Sequence, residues 1–191
     1  MSNPNEIGIQ NGDVSNYVNK LFDSIKEFYD KEKNYFYPVE GRERNIVFRI
    51  AHKLASKIED GDIFVDCEAN RCNGHSKIMP SNNILQKLIK TEFITPDLII
   101  HKRNGKSYIA VEFKTSKRDM KHDYEKLAFL TADKGTYLNQ GFPTYDLGVS
   151  ILLGNDKIKE VKCFVKGEEC KLDALIGDIY YRYQSIFETN N

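Results

Sequence analysis

The stretch TPDLIIHKRNGKSYIAVEFK, Thr95 to Lys114, decides the fold. Two runs rich in β-branched and aromatic residues flank Asn104-Gly105, a dipeptide that strongly favours a two-residue β-hairpin turn. With a type I′ turn centred on this dipeptide, every pair of opposed residues is set by the turn. The predicted pairs are Arg103 with Lys106, His101 with Tyr108, Ile99 with Ala110, and Asp97 with Glu112.

This register divides the hairpin into an apolar face and a charged face. Because side chains alternate along a strand, one face carries only core residues, namely Leu98, Ile100, Ile109, Val111 and Phe113. The other face sets Asp97 opposite Glu112, with Lys114 one step further along. Two opposed carboxylates repel each other unless a cation binds between them, and Mg²⁺ prefers oxygen ligands. The backbone carbonyl of Phe113 is a third candidate oxygen.

The hairpin sequence also leaves alternatives open. The charged face can be a solvated one, on which Lys114 and the basic turn neutralise the two acids. A longer loop or a β-bulge would shift the pairing. His101 lies on the same predicted side as Asp97 and could contact a substrate, although a lone histidine is more often a partly buried polar residue.

The rest of the chain predicts alternating helices and strands. Apolar spacing indicates helices over about residues 14–30, 43–58 and 117–132, a short helix capped by Ser81, and a closing helix over 171–187. Strands are predicted over residues 61–68, 147–154 and 158–165, and residues 69–80 form a polar loop. The order α-α-β-α-β-β-α-β-β-α indicates an α/β (α+β) class, with a mixed β-sheet flanked by helices.

Length and composition are those of one folded domain. The chain has 191 residues, of which 40% are hydrophobic and 29% charged, so we expect a flexible tail over residues 1–12 and a single domain over 13–191. We find no bilayer-length apolar run and no signal-peptide pattern, and we expect a cytoplasmic protein with free thiols. A structural zinc on Cys67, Cys72 and His75 is disfavoured by their spacing.

Charge is balanced over the chain but concentrated locally. The formal net charge is zero, yet the stretch from Lys102 to Lys121 holds seven basic residues against two acidic ones. So much positive charge opposes the dipole of the helix that follows, which favours a functional reason for Lys117, Arg118 and Lys121, such as contacts with the phosphates of a nucleic acid. The alternative is a solvated basic helix terminus.

Other charged residues near the hairpin are expected outside the site. Asp123 and Lys126 fit surface or intrahelical positions on the helix after the hairpin. Asp66 and Glu68 fit structural pairing, for instance with Arg71.

The string Pro96-Asp97, fourteen residues, then Glu112-Phe113-Lys114 resembles the motif of the PD-(D/E)XK nuclease superfamily, which includes restriction endonucleases and Holliday-junction resolvases. The resemblance covers about Glu43 to Gly154, in the order helix, strand, hairpin, helix, strand. The stretches ERNIVFRIAHKLA, VDCEANR and TPDLIIHKRN are similar to those of uncharacterised bacterial members. The resemblance implies a restriction-endonuclease-like core, here preceded by an extra N-terminal helix.

The resemblance also implies an activity, the metal-dependent hydrolysis of phosphodiester bonds in nucleic acid, with DNA as the first choice of substrate. Asp97 and Glu112, with the Phe113 carbonyl, would bind Mg²⁺ or Mn²⁺. Lys114 would orient or deprotonate the attacking water, and a nearby cation would lower its pKa. Glu43 matches an additional acid on the first core helix, although a first-turn glutamate favoured by the helix dipole is an equal alternative. A homodimer is one source of specificity.

Two other functions use the same residues differently. A nucleic-acid-binding module on this fold would show salt-dependent binding without turnover. A protein-interaction domain would use aromatic residues between the first two helices, such as Tyr35, Phe36 and Tyr37. The intact set of two acids and a lysine favours the nuclease.

Overall fold

The computed structural model describes residues 12–33, 43–67, 71–72, 75–76, 78–79, 92–93, 95–103, 105–118, 120–133, 144–171 and 179–188. The helices are α1 (Gly12–Lys31), α2 (Glu43–Lys57), α3 (Met120–Thr131) and α4 (Ile179–Arg182), and a 3-10 turn follows at Gln184–Ile186. The strands are β1 (Ile63–Cys67), β2 (Arg71–Cys72), β3 (His75–Ser76), β4 (Ile78–Met79), β5 (Glu92–Phe93), β6 (Leu98–Lys102), β7 (Ser107–Lys114), β8 (Tyr145–Leu153), β9 (Ile158–Val165) and β10 (Glu168–Cys170). The aromatic segment 34–37 and the short helix predicted from Ser81 lie outside these residues, as does the predicted tail apart from Gly12, which begins α1.

Helices α1 and α2 form where apolar residues recur at helical spacing. The predicted stripe of α1 is buried throughout, at Val14, Val18, Leu21, Ile25 and Phe28. The stripe of α2 is buried at Ile46, Val47, Ile50 and Leu54. Both predictions are confirmed, because a continuous apolar stripe can leave water only by packing against other elements.

The main sheet has six strands in the order β1-β6-β7-β8-β9-β10. Strands β7 and β8 are parallel, and the other neighbouring pairs are antiparallel. The parallel pair needs a crossover connection, and the chain between the two strands contains α3. The predicted mixed sheet flanked by helices is therefore confirmed.

The sheet has a hydrophobic cluster on each of its two faces. One cluster combines the apolar face of the hairpin with the stripes of α1 and α2. The other is smaller and combines Ile99, Ala110 and Phe164 with Leu127 and Leu130 of α3. Helix α3 approaches β8 so closely that a Cβ atom on Gly148 would lie 3.1 Å from Leu127 Cβ. A side chain at this position would push Leu127 outward by a few tenths of an ångström, so glycine favours the close packing of α3 on the second face.

The predicted hairpin register is right in its inner part and wrong at its tip. Ile99 pairs with Ala110 as predicted, but the register shifts after Ile100, and His101 pairs with Ser107 instead of Tyr108. The Lys102 N–H donates to the Lys106 carbonyl at 2.8 Å, so the loop is one residue longer than a type I′ turn, and the predicted pairing of Arg103 with Lys106 is wrong.

Contacts with β1 accompany this longer loop. The Arg103 guanidinium stacks 4.4 Å from the centre of the Phe64 ring, and His101 Nε2 lies 2.9 Å from Asp66 Oδ2. These contacts hold the tip toward β1, and the β-bulge absorbs the additional residue. The buried inner pairs keep their register, because a slip there would turn core side chains into solvent.

The C-terminal segment departs from the predicted helix over 171–187. Among the described residues of that range, α4 ends at Arg182, and Phe187 is extended and pairs with Ile158. The Glu188 N–H donates to the Ile158 carbonyl at 3.0 Å, so pairing with β9 replaces the last helical turn.

Strands β10 and β2 to β4 are further differences from the sequence prediction. The hairpin from β9 to β10 turns at Lys166 and Gly167, whose φ angles are 52° and 83°, and glycine adopts such angles without strain. Residues 71–79, predicted as loop, contain the short strands β2, β3 and β4. No helix within the described segments is long and apolar enough to cross a membrane.

Candidate active site

Glu112 lies in β7 between two neighbouring strands, and its side chain is only 1% exposed. Burial raises the pKa of Glu112 well above its ordinary value, and the nearby Asp97 carboxylate raises this pKa further. Lys126 acts in the opposite direction, because its ammonium group lies 2.7 Å from Glu112 Oε1. Glu112 is therefore a buried acid whose charge is only partly compensated.

Asp97 lies one residue before β6, so the strand pairing ends at Leu98 and Val111, one step short of the predicted pair. Its carboxylate nevertheless crosses the hairpin, because Oδ2 accepts a hydrogen bond from the Phe113 N–H at 2.8 Å. Burial raises the pKa of Asp97, although the Phe113 N–H and two lysines lower it in part. The two predicted acids thus converge at the end of the hairpin opposite the turn.

Helix α3 contributes two charged side chains that were expected at surface or intrahelical positions. Asp123 is 3% exposed, and Lys126 Nζ lies 3.8 Å from Asp123 Oδ1 while donating to the Thr95 carbonyl at 3.4 Å. The surface alternative was wrong for Asp123, because the buried side of α3 carries Met120, Asp123, Leu127 and Leu130. The pairing of Asp123 with Lys126 fits the intrahelical alternative. The i, i+3, i+4 spacing of these residues was visible in the sequence and could have placed Asp123 on the buried side.

Lys114, at the end of β7, contacts acids other than Glu112. Its Nζ atom lies 3.4 Å from Glu43 Oε1 and 3.4 Å from Asp123 Oδ2. Burial lowers the pKa of Lys114, but Asp123, Glu43 and Asp97 outweigh this effect, so that the pKa is raised. The protein's own charges therefore keep this amine protonated, whereas the predicted lowering of its pKa depends on a bound cation.

Glu43 is the first residue of α2 and connects that helix to the end of the sheet. Besides its contact with Lys114, its Oε2 atom accepts a hydrogen bond from the Thr115 N–H at 3.0 Å. Glu43 thus does more than complement its own helix dipole. Together with Asp97, Glu112 and Asp123 it makes four carboxylates around two lysines.

Three buried oxygen atoms of this region have no hydrogen-bond partner among the described residues: Glu112 Oε1, Asp123 Oδ2 and Ser150 Oγ. Glu112 Oε1 and Asp123 Oδ2 lie near lysine ammonium groups, but these are ion pairs without hydrogen-bond angles. Ser150 pairs with Glu112 across the parallel strands and is 1% exposed. Buried polar atoms without partners are uncommon and often belong to functional sites.

The oxygen donors at this site suit a hard divalent cation. Asp97 and Glu112 present carboxylates, the Phe113 carbonyl follows directly on β7, and the Lys126 ammonium lies 2.7 Å from Glu112 Oε1, where a cation would bind. The described side chains include no cluster of three or more His, Cys, Asp or Glu that could hold a metal ion. Main-chain oxygen and water would complete the coordination, and Mg²⁺ usually keeps several waters.

The candidate nucleic-acid contacts follow the site along the chain. Lys117, Arg118 and Lys121 are all exposed, between the end of β7 and the first turn of α3. The Lys121 side chain is 91% exposed and forms an ion pair with Glu125 at 3.9 Å. All three cations follow Lys114 within seven residues along the chain.

Two minor expectations have different outcomes. Asp66 takes a structural role as expected, but its partner is His101, which is therefore a partly buried polar residue of the hairpin. Glu68 lies outside the described residues. The disfavoured zinc site stays untested as a group, because the side chains of Cys72 and His75 also lie outside the described residues. Cys67 itself is exposed.

Sequence reasoning missed Asp123, Lys126 and Ser150 as members of the site. The available indication for Ser150 was its position as the one polar residue in the apolar run LGVSILLG. No known protein family, curated protein or solved structure matches this chain.

Proposed function

We propose that this protein is a metal-dependent nuclease that hydrolyses phosphodiester bonds of nucleic acid, DNA in the first instance, on a restriction-endonuclease-like core. One observation carries the proposal: the half-buried Asp97 and the buried Glu112 converge at one end of a hairpin as carboxyl groups with raised pKa values. Groups with strongly perturbed pKa values cluster at functional sites. The PD-(D/E)XK motif on the same residues supports this choice of chemistry.

The reaction needs an activated water and compensation of charge on the scissile phosphate. Mg²⁺ or Mn²⁺ held by Asp97, Glu112 and the Phe113 carbonyl would supply both, by lowering the pKa of bound water and polarising the phosphate. The Phe113 N–H fixes the Asp97 carboxylate through its 2.8 Å hydrogen bond. The acids are thereby oriented before any ligand binds, which avoids reorganisation during the reaction.

Lys114 contributes as a hydrogen-bond donor. Its raised pKa keeps the amine protonated near neutral pH, so it can orient the attacking water or a phosphate oxygen. Glu43 holds this amine in position, with a 3.4 Å contact to its Nζ atom. Lys117, Arg118 and Lys121 would bind phosphates on either side of the cut.

Cleavage assays test the proposal. Purified protein is incubated with single-stranded, duplex and branched DNA and with RNA, in Mg²⁺ or Mn²⁺ or with a chelator. We expect cation-dependent cleavage that Asp97→Asn and Glu112→Gln abolish, and that Lys114→Ala slows by about 10²–10⁴-fold. Glu59→Gln, which changes an exposed acid after α2, is the matched control and should cleave like the wild type.

The outcomes separate the competing functions. If the protein binds nucleic acid in a salt-dependent way but cleaves it under no condition, the protein is a binding module on this fold and not a nuclease. Cleavage that survives Asp97→Asn and Glu112→Gln would come from elsewhere and would remove this site from consideration.

A further inference from the structure

Lys126 is the lysine closest to the candidate metal ligands, although the motif assigns the catalytic lysine to position 114. Its Nζ atom lies 2.7 Å from Glu112 Oε1, while the contacts of Lys114 are with Glu43 and Asp123. The Lys126 side chain is 13% exposed and the Glu112 side chain 1%. Two opposite charges so close and so poorly hydrated attract each other strongly.

The ammonium group of Lys126 and a divalent cation would compete for the same oxygen. A cation on Glu112 Oε1 would sit about 2.1 Å from that atom, as Mg²⁺ does with its ligands. An ammonium group 2.7 Å from the same oxygen would then face a dication at close range in surroundings that screen poorly. Both positive charges cannot occupy these positions at once without a large repulsion.

Asp123 is a second carboxylate with which Lys126 can form an ion pair. It lies three residues earlier on α3, and its Oδ1 atom is 3.8 Å from Lys126 Nζ. Its Oδ2 atom already lies 3.4 Å from Lys114 Nζ, so Oδ1 is the oxygen that Lys126 would approach. A rotation within the lysine side chain is enough to exchange Glu112 for Asp123, with no change in the position of the helix.

We infer that Lys126 is an internal counter-ion of Glu112 that competes with the divalent cation and moves to Asp123 when the cation binds. It thereby sets the cation concentration at which the site fills, and it keeps a positive charge beside the site afterwards. This inference rests on the cation site of the proposed function. The sequence motif does not include Lys126, so the inference depends on the packing of α3 against the sheet.

Binding of Mn²⁺ tests the inference without any nucleic acid. Affinity is measured by calorimetric titration at pH 8.5, where protons compete least for the carboxylates, on the wild type, Lys126→Met and Lys126→Arg. Removing the competing charge in Lys126→Met should tighten Mn²⁺ binding by about tenfold or more. Lys126→Arg keeps the charge and should stay near the wild type, and so should Lys159→Met, which removes an exposed lysine of β9.

Circular dichroism provides a second test in case the Lys126→Met variant folds poorly. If Lys126→Met is unfolded, Mn²⁺ should restore its helical circular dichroism at concentrations below those at which it stabilises the wild type. Unchanged or weaker Mn²⁺ binding by Lys126→Met overturns the inference, as does an absence of Mn²⁺ binding in all variants. Nuclease assays test the proposed function separately. If the variants bind Mn²⁺ with the expected relative affinities but the protein cuts no nucleic acid, the inference about Lys126 holds and the proposed function is wrong.

Discussion

At the scale of single residues, Asp97 and Glu112 are carboxyl groups in surroundings that disfavour their charge. Burial is the largest cause of the raised pKa in both. Because the folded state holds these protons more tightly than the unfolded chain, each group destabilises the protein as pH rises above its ordinary pKa. Such groups persist where they have a use, and a bound cation would reverse their effect on stability.

Ser150 provides a test, on a neutral group, of whether the buried polar atoms of the site destabilise the fold. Its buried hydroxyl has no hydrogen-bond partner in the described structure, so Ser150→Ala should leave the free energy of unfolding unchanged or raise it by about 1 kcal/mol. Ser24 is the matched control, because it is equally buried but donates to the Lys20 carbonyl at 2.7 Å. Ser24→Ala should lower the free energy of unfolding by about 1 kcal/mol. Urea denaturation of both variants measures the two free energies of unfolding. A lower free energy of unfolding for Ser150→Ala would show that the Ser150 hydroxyl has a hydrogen-bond partner.

At the scale of elements, α1 and α2 are joined by an ion-pair network as well as by their apolar stripes. Glu27 of α1 contacts Lys57 at 2.6 Å and Lys53 at 3.4 Å, both on α2. The Lys57 ammonium, assisted by Lys31 and Lys53, lowers the pKa of Glu27 to about 2. These contacts fix the relative rotation of the two helices, and the N-terminus of α2 carries Glu43.

The network predicts a pH-dependent stability. Since the folded pKa of Glu27 is lowered from about 4.5 to about 2, its contribution is complete above pH 4.5 and disappears as pH falls through 2. Glu27→Gln should therefore lower the free energy of unfolding by about 1 kcal/mol at pH 7, with the difference from the wild type vanishing toward pH 2. Glu125→Gln, which breaks a single exposed pair, should change little at either pH. A pH-independent difference for Glu27→Gln would contradict the ion-pair account.

Element α3 shows where prediction from periodicity succeeds and where it stops. The helix lies where the sequence predicts it, and Leu127 is buried as expected. The apolar spacing that predicts α3 does not include Asp123, because a charged residue is normally assigned to the solvent side. Ion pairs with Lys114 of β7, at 3.4 Å, and with Lys126 of the same helix, at 3.8 Å, compensate its buried charge.

At the scale of the whole molecule, zero net charge hides an uneven distribution. The 28 basic and 28 acidic residues cancel over the chain, so no overall field attracts nucleic acid. The exposed cations after β7 are the local exception, and they follow Lys114 of the site within seven residues along the chain. Binding of nucleic acid should therefore depend on a few named residues.

Salt dependence measures this contribution. The double variant Lys117→Gln/Lys121→Gln should bind duplex DNA more weakly. The magnitude of its slope of log affinity against log salt concentration should fall by about 0.9 for each lost phosphate contact. The matched control is Lys159→Gln/Lys171→Gln, which changes two exposed lysines distant in sequence from the segment after β7. It should keep the wild-type slope. Fluorescence anisotropy without added divalent cation gives both slopes. Equal slopes for the two double variants would exclude the segment after β7 as the contact surface.

The sequence by itself determined the helices α1 and α2, the hairpin and the inner pairing that sets Ile99 against Ala110, since these follow from local spacing and from a buried apolar face. Only the tertiary structure decided that Lys126 contacts Glu112, that the hairpin tip shifts by a residue, and that the chain leaves its last helix at Arg182 to pair with β9. The physical reason is that periodicity assigns a side chain to a face of its own element. Which charges meet across two elements depends on how those elements pack.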